Sequence, residues 1–246
     1  MMQTTIYSKF ITRFGILRPF LMTGGLLGFL GAALLGNLSA AEEPRLVPPA
    51  MHDVADTGGP QTAVFAGGCF WGMQGVFQHV AGVVSATSGY AGGSAETANY
   101  ELTESGTTGH AEAVEIVFDP KKISYGKLLQ IYFSVAHDPT QVDRQGPDSG
   151  TQYRSAIFPV DAEQGKVASD YIVQLEAAHI FTAKIATAIE PGKPFYKAEA
   201  YHQDYMANNP SQLYIVINEQ PKVDKLKNLF PQFYREKPVL VSDNQG

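Results

Sequence analysis

The sequence predicts an α+β fold: a two-layer α/β sandwich with a ferredoxin-like core and an added C-terminal tail. The main observation is the order of apolar periodicities, β-α-β-β-α-β and then α-β, without the strict alternation of a parallel sheet. The composition agrees, because 44% hydrophobic and 17% charged residues are ordinary for a globular core. The 246 residues allow one large domain or two small ones.

The first half of the predicted domain begins with a buried strand and a glycine turn. Thr62–Ala66 is a short apolar run that Gly67-Gly68 ends. Apolar residues then recur at helical spacing from about Cys69. Ser124 is the predicted N-cap of a helix that continues to about Ala136. The other elements of this half are a strand, a loop rich in Gly, Ser and Thr, and an alternating strand: Val83–Tyr90, Ala91–His110 and Glu112–Asp119.

The second half begins with a predicted polar loop at His137–Thr151. Asp161 is the predicted N-cap of a long helix that ends near Phe181. Three more runs are predicted strands and two are predicted short helices: Tyr153–Val160, Lys184–Glu190 and Leu213–Asn218, then His202–Asn208 and Lys222–Phe230.

Residues 1–41 have the three-part pattern of a secretory signal peptide. Basic residues without an acid come first, Phe20–Leu38 is almost free of polar residues, and Ser39-Ala40-Ala41 supplies a small-residue cleavage site. We therefore expect an exported protein, most simply periplasmic, that is cleaved after Ala41. The alternative is an uncleaved anchor, since the apolar stretch is long enough to span a membrane. Residues 42–60 are rich in Pro and Gly and form a predicted linker.

Charge and cysteine content exclude several classes of function. Lys and Arg number 18 against 24 Asp and Glu, so the chain carries −6 and is a poor nucleic-acid binder. A single cysteine excludes an intrachain disulfide, a Cys-rich zinc site and an iron–sulfur cluster. The six histidines lack paired helical spacing with acids, so we expect no metal site. A single cysteine after an export signal suggests a functional thiol, because exported proteins usually contain cysteines in disulfide pairs. The alternative is a buried, unreactive cysteine.

The most informative stretch is Gly67-Gly68-Cys69-Phe70-Trp71. The glycines allow a sharp turn from strand to helix, which places Cys69 at the first helical turn. Free backbone N–H groups and the helix dipole there favour a thiolate. Phe70 or Trp71 can line a small apolar pocket beside the sulfur.

Acidic and phenolic groups supply candidate proton donors. Glu112 starts a strand, where burial would raise its pKa and keep it protonated near neutral pH. Tyr100, in the preceding loop, offers a neutral hydroxyl. The polar segment Gln145–Ser155, which contains Asp148 and Tyr153, runs from a Gly-rich loop into a strand and is rich in hydrogen-bonding groups.

Six motifs occur in order through the predicted domain. They are Gly-Cys-Phe-Trp at 68–71, Ser88–Gly93, Thr108–Val114, Phe118-Asp119-Pro120, His137-Asp138-Pro139 and Gly150–Ser155. Together they resemble the peptide methionine sulfoxide reductases of the A type, from about Thr62 to Asn209. The resemblance identifies residues 61–209 as a catalytic domain and 210–246 as an extension of one strand and one helix.

The resemblance implies a role for each candidate residue. Cys69 attacks the sulfur of methionine S-sulfoxide, free or within peptides, and becomes a sulfenic acid. Glu112 gives a proton to the sulfoxide oxygen, Tyr100 and Tyr153 hydrogen-bond that oxygen, and Asp148 helps to hold the polar side of the site. The positions that match residues enclosing the substrate's methyl group are Phe70 and Trp71.

The C-terminal tail departs from many members of that family. Those relatives carry further cysteines that form a disulfide with the sulfenic acid, whereas residues 203–246 contain none, as in single-cysteine members. We therefore expect reduction by an external partner, namely thioredoxin, glutaredoxin or a small thiol. No bound cofactor is expected, the substrates are oxidised proteins and free methionine sulfoxide, and the protein is expected to be a monomer.

Two alternatives stay open at this stage. A papain-like cysteine hydrolase would pair Cys69 with His202, which lies within the usual separation, although Trp71 is one position too far from the cysteine. A non-catalytic, exported binding domain on the same scaffold would retain the substrate without turnover.

Overall fold

The computed structural model describes residues 45–244, so the predicted signal segment 1–41 lies outside the described residues. In this range the strands are β1 Gln61–Gly67, β2 Val83–Ala91, β3 Ala111–Phe118, β4 Arg144–Gln145, β5 Asp148–Ser149, β6 Ser155–Ile157, β7 Ala188–Ile189 and β8 Phe195–Lys197. The α-helices are α1 Phe70–Gln78, α2 Tyr100–Thr103, α3 Tyr125–Ile131, α4 Ala162–Ala177, α5 Tyr205–Asn208 and α6 Gln220–Leu229.

Six of the strands form one sheet in the order β7-β6-β1-β3-β2-β8. Neighbouring strands are antiparallel except for β6 and β7, which are parallel. The central four strands, β6-β1-β3-β2, have the arrangement of a ferredoxin-like sheet, and β7 and β8 extend its two edges. The predicted α+β sandwich with a ferredoxin-like core is therefore confirmed.

The two faces of the sheet carry cores of different size. Along β1, Phe65 packs into the larger core with helical side chains, whereas Val64 and Ala66 face the smaller one. The larger core is rich in aromatic rings, and Phe65 contacts Phe77 and Tyr132 at centroid distances of 5.8 and 5.0 Å. The smaller core consists mostly of alanines. The alternation of β1 therefore directs bulky residues toward the helical layer.

Both predicted helix caps are present. The Lys127 N–H donates to Ser124 Oγ at 3.2 Å, and the Gln164 N–H donates to Asp161 Oδ1 at 2.8 Å. After α3 the chain continues as a π-helix over Tyr132–Ala136, which agrees with the predicted end of this helix. The helix capped by Asp161 ends at Ala177, one turn before the predicted end.

The strand predictions fail in the second half of the chain. Leu213–Asn218 is not a strand, because Ile215–Glu219 forms a π-helix that runs into α6. Its buried residues, Ile215 and Glu219, are four positions apart, which is helical spacing. The predicted strands Tyr153–Val160 and Lys184–Glu190 are shorter in the structure, where they correspond to β6 and β7. The first begins later than predicted because Thr151–Tyr153 forms a 3₁₀ turn.

The predicted linker contacts the domain between Val47 and Asp53. Val47 is fully buried, and its carbonyl accepts a hydrogen bond from Gln130 Nε2 at 2.7 Å. Asp53 Oδ1 accepts the Gly126 N–H at 2.7 Å, so the segment also contacts the first turn of α3. The stretch from Val47 to Asp53 is therefore a strap along the helical layer and not a free spacer.

Candidate active site

A glycine turn between β1 and α1 positions the cysteine. A Cβ at Gly67 would lie 2.8 Å from His137 Cγ, and one at Gly68 would lie 2.5 Å from Gln145 Cγ. Gly68 also has φ +88°, a conformation that side-chain-bearing residues rarely adopt. Both positions therefore require glycine. The turn delivers Cys69 as the N-cap residue of α1, at the predicted place.

The Cys69 thiol is buried, with 8% of its surface exposed. Burial raises its pKa well above the usual 9.0, and the neighbouring acids Glu112 and Glu219 raise it further. The Trp71 backbone N–H and the Lys222 ammonium lower the pKa of the thiol, but by less. The helix N–H group therefore acts in the predicted direction, but desolvation outweighs it, and the net pKa of the thiol is raised.

Glu112 lies on β3 beside the first turn of α1. Its Oε2 accepts the Phe70 N–H at 2.8 Å, and the side chain is buried. Burial raises the pKa of this carboxyl well above 4.5, and the nearby acids Glu104 and Asp148 act in the same direction. The direction agrees with the sequence prediction of a neutral carboxyl that can donate a proton.

Two tyrosines, Tyr100 and Tyr153, lie near the acids Glu104 and Glu112. Burial and the charges of Glu104, Glu112 and Cys69 raise the pKa of Tyr100 to about 12. The pKa of Tyr153 is also raised, first by burial and then by Glu112 and Glu104. The Tyr153 hydroxyl donates to Glu104 Oε1 at 3.1 Å. Both phenols therefore keep their protons at neutral pH and remain hydrogen-bond donors.

Asp148 lies on β5 and receives a hydrogen bond from a residue of the C-terminal segment. The donor is the Tyr214 hydroxyl. Burial raises the pKa of Asp148. Burial also raises the pKa of Tyr214, and the charge of Cys69 raises it further. Tyr214 is therefore a site residue that the sequence prediction missed, because it placed this residue in a strand.

An aromatic wall borders the cysteine. Trp71 is partly exposed and stacks on Tyr205 at a centroid distance of 3.7 Å. Phe70 is almost fully buried, with its ring 4.9 Å from that of His202. Of the two predicted pocket residues, Trp71 is thus accessible to solvent, and Phe70 belongs to the interior.

His202 belongs to this wall. Its Nδ1 accepts a hydrogen bond from the Trp71 indole N–H at 3.1 Å, and its ring lies 4.5 Å from that of Tyr100. Burial lowers its pKa. The hydrogen bond holds the imidazole beside the indole of Trp71.

Three charged residues near the site were not predicted: Glu104, Glu219 and Lys222. Glu104 lies just after α2, and the other two lie around the start of α6. Charged residues in a loop or at the start of a helix are usually exposed to solvent, and the sequence does not show which of them lie near an active site. The roles given to the predicted site residues stay predictions, while their placement around Cys69 is observed.

The described chain has neither a cluster of metal-binding side chains nor a membrane-spanning helix. Between residues 45 and 244, no group of three or more His, Cys, Asp or Glu side chains is arranged to hold a metal ion. Among the same residues, no helix has the length and apolar character needed to cross a membrane.

Comparison with known proteins gives a consistent family. The family model described as peptide methionine sulfoxide reductase matches residues 61–233. A peptide methionine sulfoxide reductase MsrA 2 of Mesorhizobium japonicum is 61% identical over 183 residues, covering 74% of this chain and 94% of the relative. A protein with the same description from Synechocystis is 45% identical, covering 81% of this chain and 95% of the relative.

Solved structures agree with the sequence comparisons. Reduced Mxr1 from Saccharomyces cerevisiae matches with a TM-score of 0.56 and 32% identity, over 68% of this chain and 94% of that one. Methionine sulfoxide reductase A of Corynebacterium diphtheriae matches with a TM-score of 0.53 and 34% identity, over 70% and 87%. The resemblance noted in the sequence is thus confirmed, and the chain belongs to the peptide methionine sulfoxide reductase family.

Proposed function

We propose that this protein reduces methionine S-sulfoxide, free or within oxidised proteins, to methionine at Cys69. The observation that carries the proposal is that the buried Glu112, whose pKa is raised by burial, reaches the first turn of α1 beside the only cysteine. A sulfoxide oxygen is a poor leaving group until it is protonated, so a neutral acid and phenol donors suit this substrate. Trp71 offers an apolar surface for the methyl group.

The reductive step transfers one oxygen atom and two electrons. Cys69 Sγ attacks the sulfoxide sulfur while the oxygen takes a proton from Glu112, and the thiol proton returns to the Glu112 carboxylate. The attack forms an S–S bond, and the protonated oxygen then passes as hydroxyl from the methionine sulfur to Sγ as that bond breaks. Methionine therefore leaves as the reduced thioether, and Cys69 is left as a sulfenic acid. Tyr100 and Tyr153 supply hydroxyl donors toward the oxygen as its charge develops.

Regeneration requires a partner because the chain has one cysteine. An external thiol attacks the sulfenic sulfur, which forms a mixed disulfide and releases water. A second thiol then attacks the partner's sulfur, restores the Cys69 thiol and leaves the partner as a disulfide. We expect thioredoxin, glutaredoxin or a small thiol in this role.

The test is turnover of the S and R sulfoxides of a blocked methionine, with dithiothreitol as reductant. We expect reduction of the S epimer only, and its loss in Cys69→Ser. Turnover of neither epimer by folded protein with a reduced Cys69 would reject the enzyme and favour a binding domain. Peptide hydrolysis that depends on His202 would instead support the papain-like alternative.

We also propose that the protein acts after export, most simply in a bacterial periplasm. The support is the three-part pattern of residues 1–41. The intact mass of the protein recovered from a periplasmic fraction should correspond to a chain that begins at Glu42. A full-length mass in the membrane fraction would support the uncleaved anchor.

A further inference from the structure

A buried ion pair lies beside the reactive cysteine. Glu219 ends the π-helix of the C-terminal segment, and its carboxylate is 2% exposed. Lys222 Nζ lies 2.7 Å from Glu219 Oε2, and the lysine side chain is 13% exposed. A buried pair of this kind is a weak source of net stability, because desolvation of both charges offsets their attraction. Its placement therefore calls for another explanation.

The carboxylate of Glu219 rests directly on the helix that follows Cys69. A Cβ at Gly72 would lie 1.5 Å from Glu219 Oε2 and 2.4 Å from its Cδ. Gly72 is the third residue of α1. The absence of a side chain at Gly72 leaves the space, here called the seat of the carboxylate, in which Glu219 packs directly against the cysteine-bearing turn.

The first turn of α1 is thus held by two acids from different parts of the chain. Glu112 reaches it from the sheet and accepts the Phe70 N–H at 2.8 Å. Glu219 reaches it from the C-terminal segment at Gly72. The same segment also supplies Tyr214, which donates to Asp148 on the opposite side of the site.

Glu219 and Lys222 shift the pKa of the Cys69 thiol in opposite directions. The charges that bear on Cys69 are those of Glu112 from β3 and of Glu219 and Lys222 from the C-terminal segment. Glu112 and Glu219 raise the pKa of the thiol, and Lys222 lowers it. The phenols of Tyr100 and Tyr214 also interact with the thiol charge.

We propose that Glu219 and Lys222 are a positioning pair for Cys69: the carboxylate fixes the cysteine-bearing turn through Gly72, and the ammonium balances the charge beside the sulfur. This proposal rests on the proposed function, in which Cys69 is the reacting group. As the thiol proton leaves during attack, the Lys222 ammonium offsets the negative charge of Glu219, which acts against charge on the sulfur.

The test is the rate of Cys69 alkylation by iodoacetamide as a function of pH in the full chain. Glu219→Gln should lower the apparent thiol pKa, and Lys222→Met should raise it, each by about one unit, as for a charge a few ångströms away. The double variant should return to within about half a unit of the wild type. Lys222→Arg keeps the charge and should retain the wild-type profile.

Lys227→Met is the matched control, because Lys227 lies on the same helix but its side chain is 54% exposed and pairs with Glu236. It should leave the alkylation profile unchanged. Simple loosening of the fold would move Glu219→Gln and Lys222→Met in the same direction, toward an ordinary exposed thiol. Shifts of the same sign, or no shifts, would overturn the proposal.

Gly72→Ala gives an independent measurement. The added methyl occupies the seat of the carboxylate, so Glu219 must move. We expect kcat for methionine sulfoxide to fall at least about tenfold while Gly59→Ala, at a position with nothing within 4 Å, stays at wild-type activity. Unchanged kcat in Gly72→Ala would contradict the positioning role. Absence of turnover in the wild type would reject the proposed function, whereas the alkylation shifts would still report on the pair.

Discussion

The sheet side of the active site and its C-terminal side are held in place by different kinds of contact. On the sheet side, backbone register fixes the groups: Ala66 pairs with Ala113, so Glu112 lies next to the turn that carries Cys69. On the C-terminal side, side chains from distant segments meet. The hydroxyl of Tyr214 reaches Asp148 across 66 positions of sequence. One side of an active site can therefore be positioned by strand pairing, while the other side depends on a few individual side-chain contacts.

The largest expected effect is on the sheet side. Glu112→Gln removes the proton donor and should lower kcat about 10²–10⁴-fold. Because the pKa of Glu112 is raised, the wild-type rate should fall as pH increases through that raised value, and this limb should be absent from the variant. Steady-state kinetics across pH tests this, and an identical pH profile in both proteins would contradict it.

The same variant should be more stable than the wild type at high pH. The folded protein keeps a proton on Glu112 that the unfolded chain releases above its ordinary pKa of 4.5. The stability that this proton contributes is complete below 4.5 and is lost as pH rises through the raised pKa. The advantage of Glu112→Gln in urea denaturation should therefore grow with pH. A constant difference would show that the carboxyl does not titrate as described.

On the C-terminal side, the π-helix offers a matched pair of isoleucines. Ile215 is fully buried and Ile217 is 65% exposed. Ile215→Ala should destabilise the protein by about 3 kcal/mol, because it leaves a cavity in the core. Ile217→Ala should stay within about 0.5 kcal/mol of the wild type. Equal losses in denaturant unfolding would indicate that this segment is not packed as a helix.

The smallest effect expected concerns the Tyr214 contact. Tyr214→Phe keeps the ring beside Trp71 but removes the hydrogen bond to Asp148. One such bond contributes about 1 kcal/mol, so kcat/KM should fall about fivefold. Tyr201→Phe is the control, since Tyr201 is 63% exposed. An equal loss in both variants would exclude a specific role for the Tyr214 hydroxyl.

The sequence allowed the sheet side to be predicted almost completely. Gly67-Gly68, the alternation of β3 and the caps at Ser124 and Asp161 are local signals, and each is found where it was expected. The direction of the Glu112 pKa shift followed from its place at the start of a strand. Such features depend on neighbours in sequence, which pattern analysis can use.

The remainder could not be predicted because it depends on tertiary burial. The alternating residues of Leu213–Asn218 suggest a strand, but packing of Ile215 against the core makes this segment helical. The net direction of the Cys69 pKa shift could not be predicted, since the helix N-terminus is visible in the sequence and the desolvation around the sulfur is not. The contact between Glu219 and Gly72 brings together residues that are 147 positions apart, and no local sequence pattern predicts it.

The burial of the Cys69 thiol has a consequence for its reactions with oxidants. Peroxides react with the thiolate form of cysteine, so a buried thiol with a raised pKa is a poor target for them. A chain with one cysteine has no second sulfur in reserve if that thiol is irreversibly oxidised. Burial that limits access to the sulfur and raises its pKa therefore favours chemical selectivity: dissolved oxidants react slowly with it, and a sulfoxide bound beside Glu112 is the expected reaction partner.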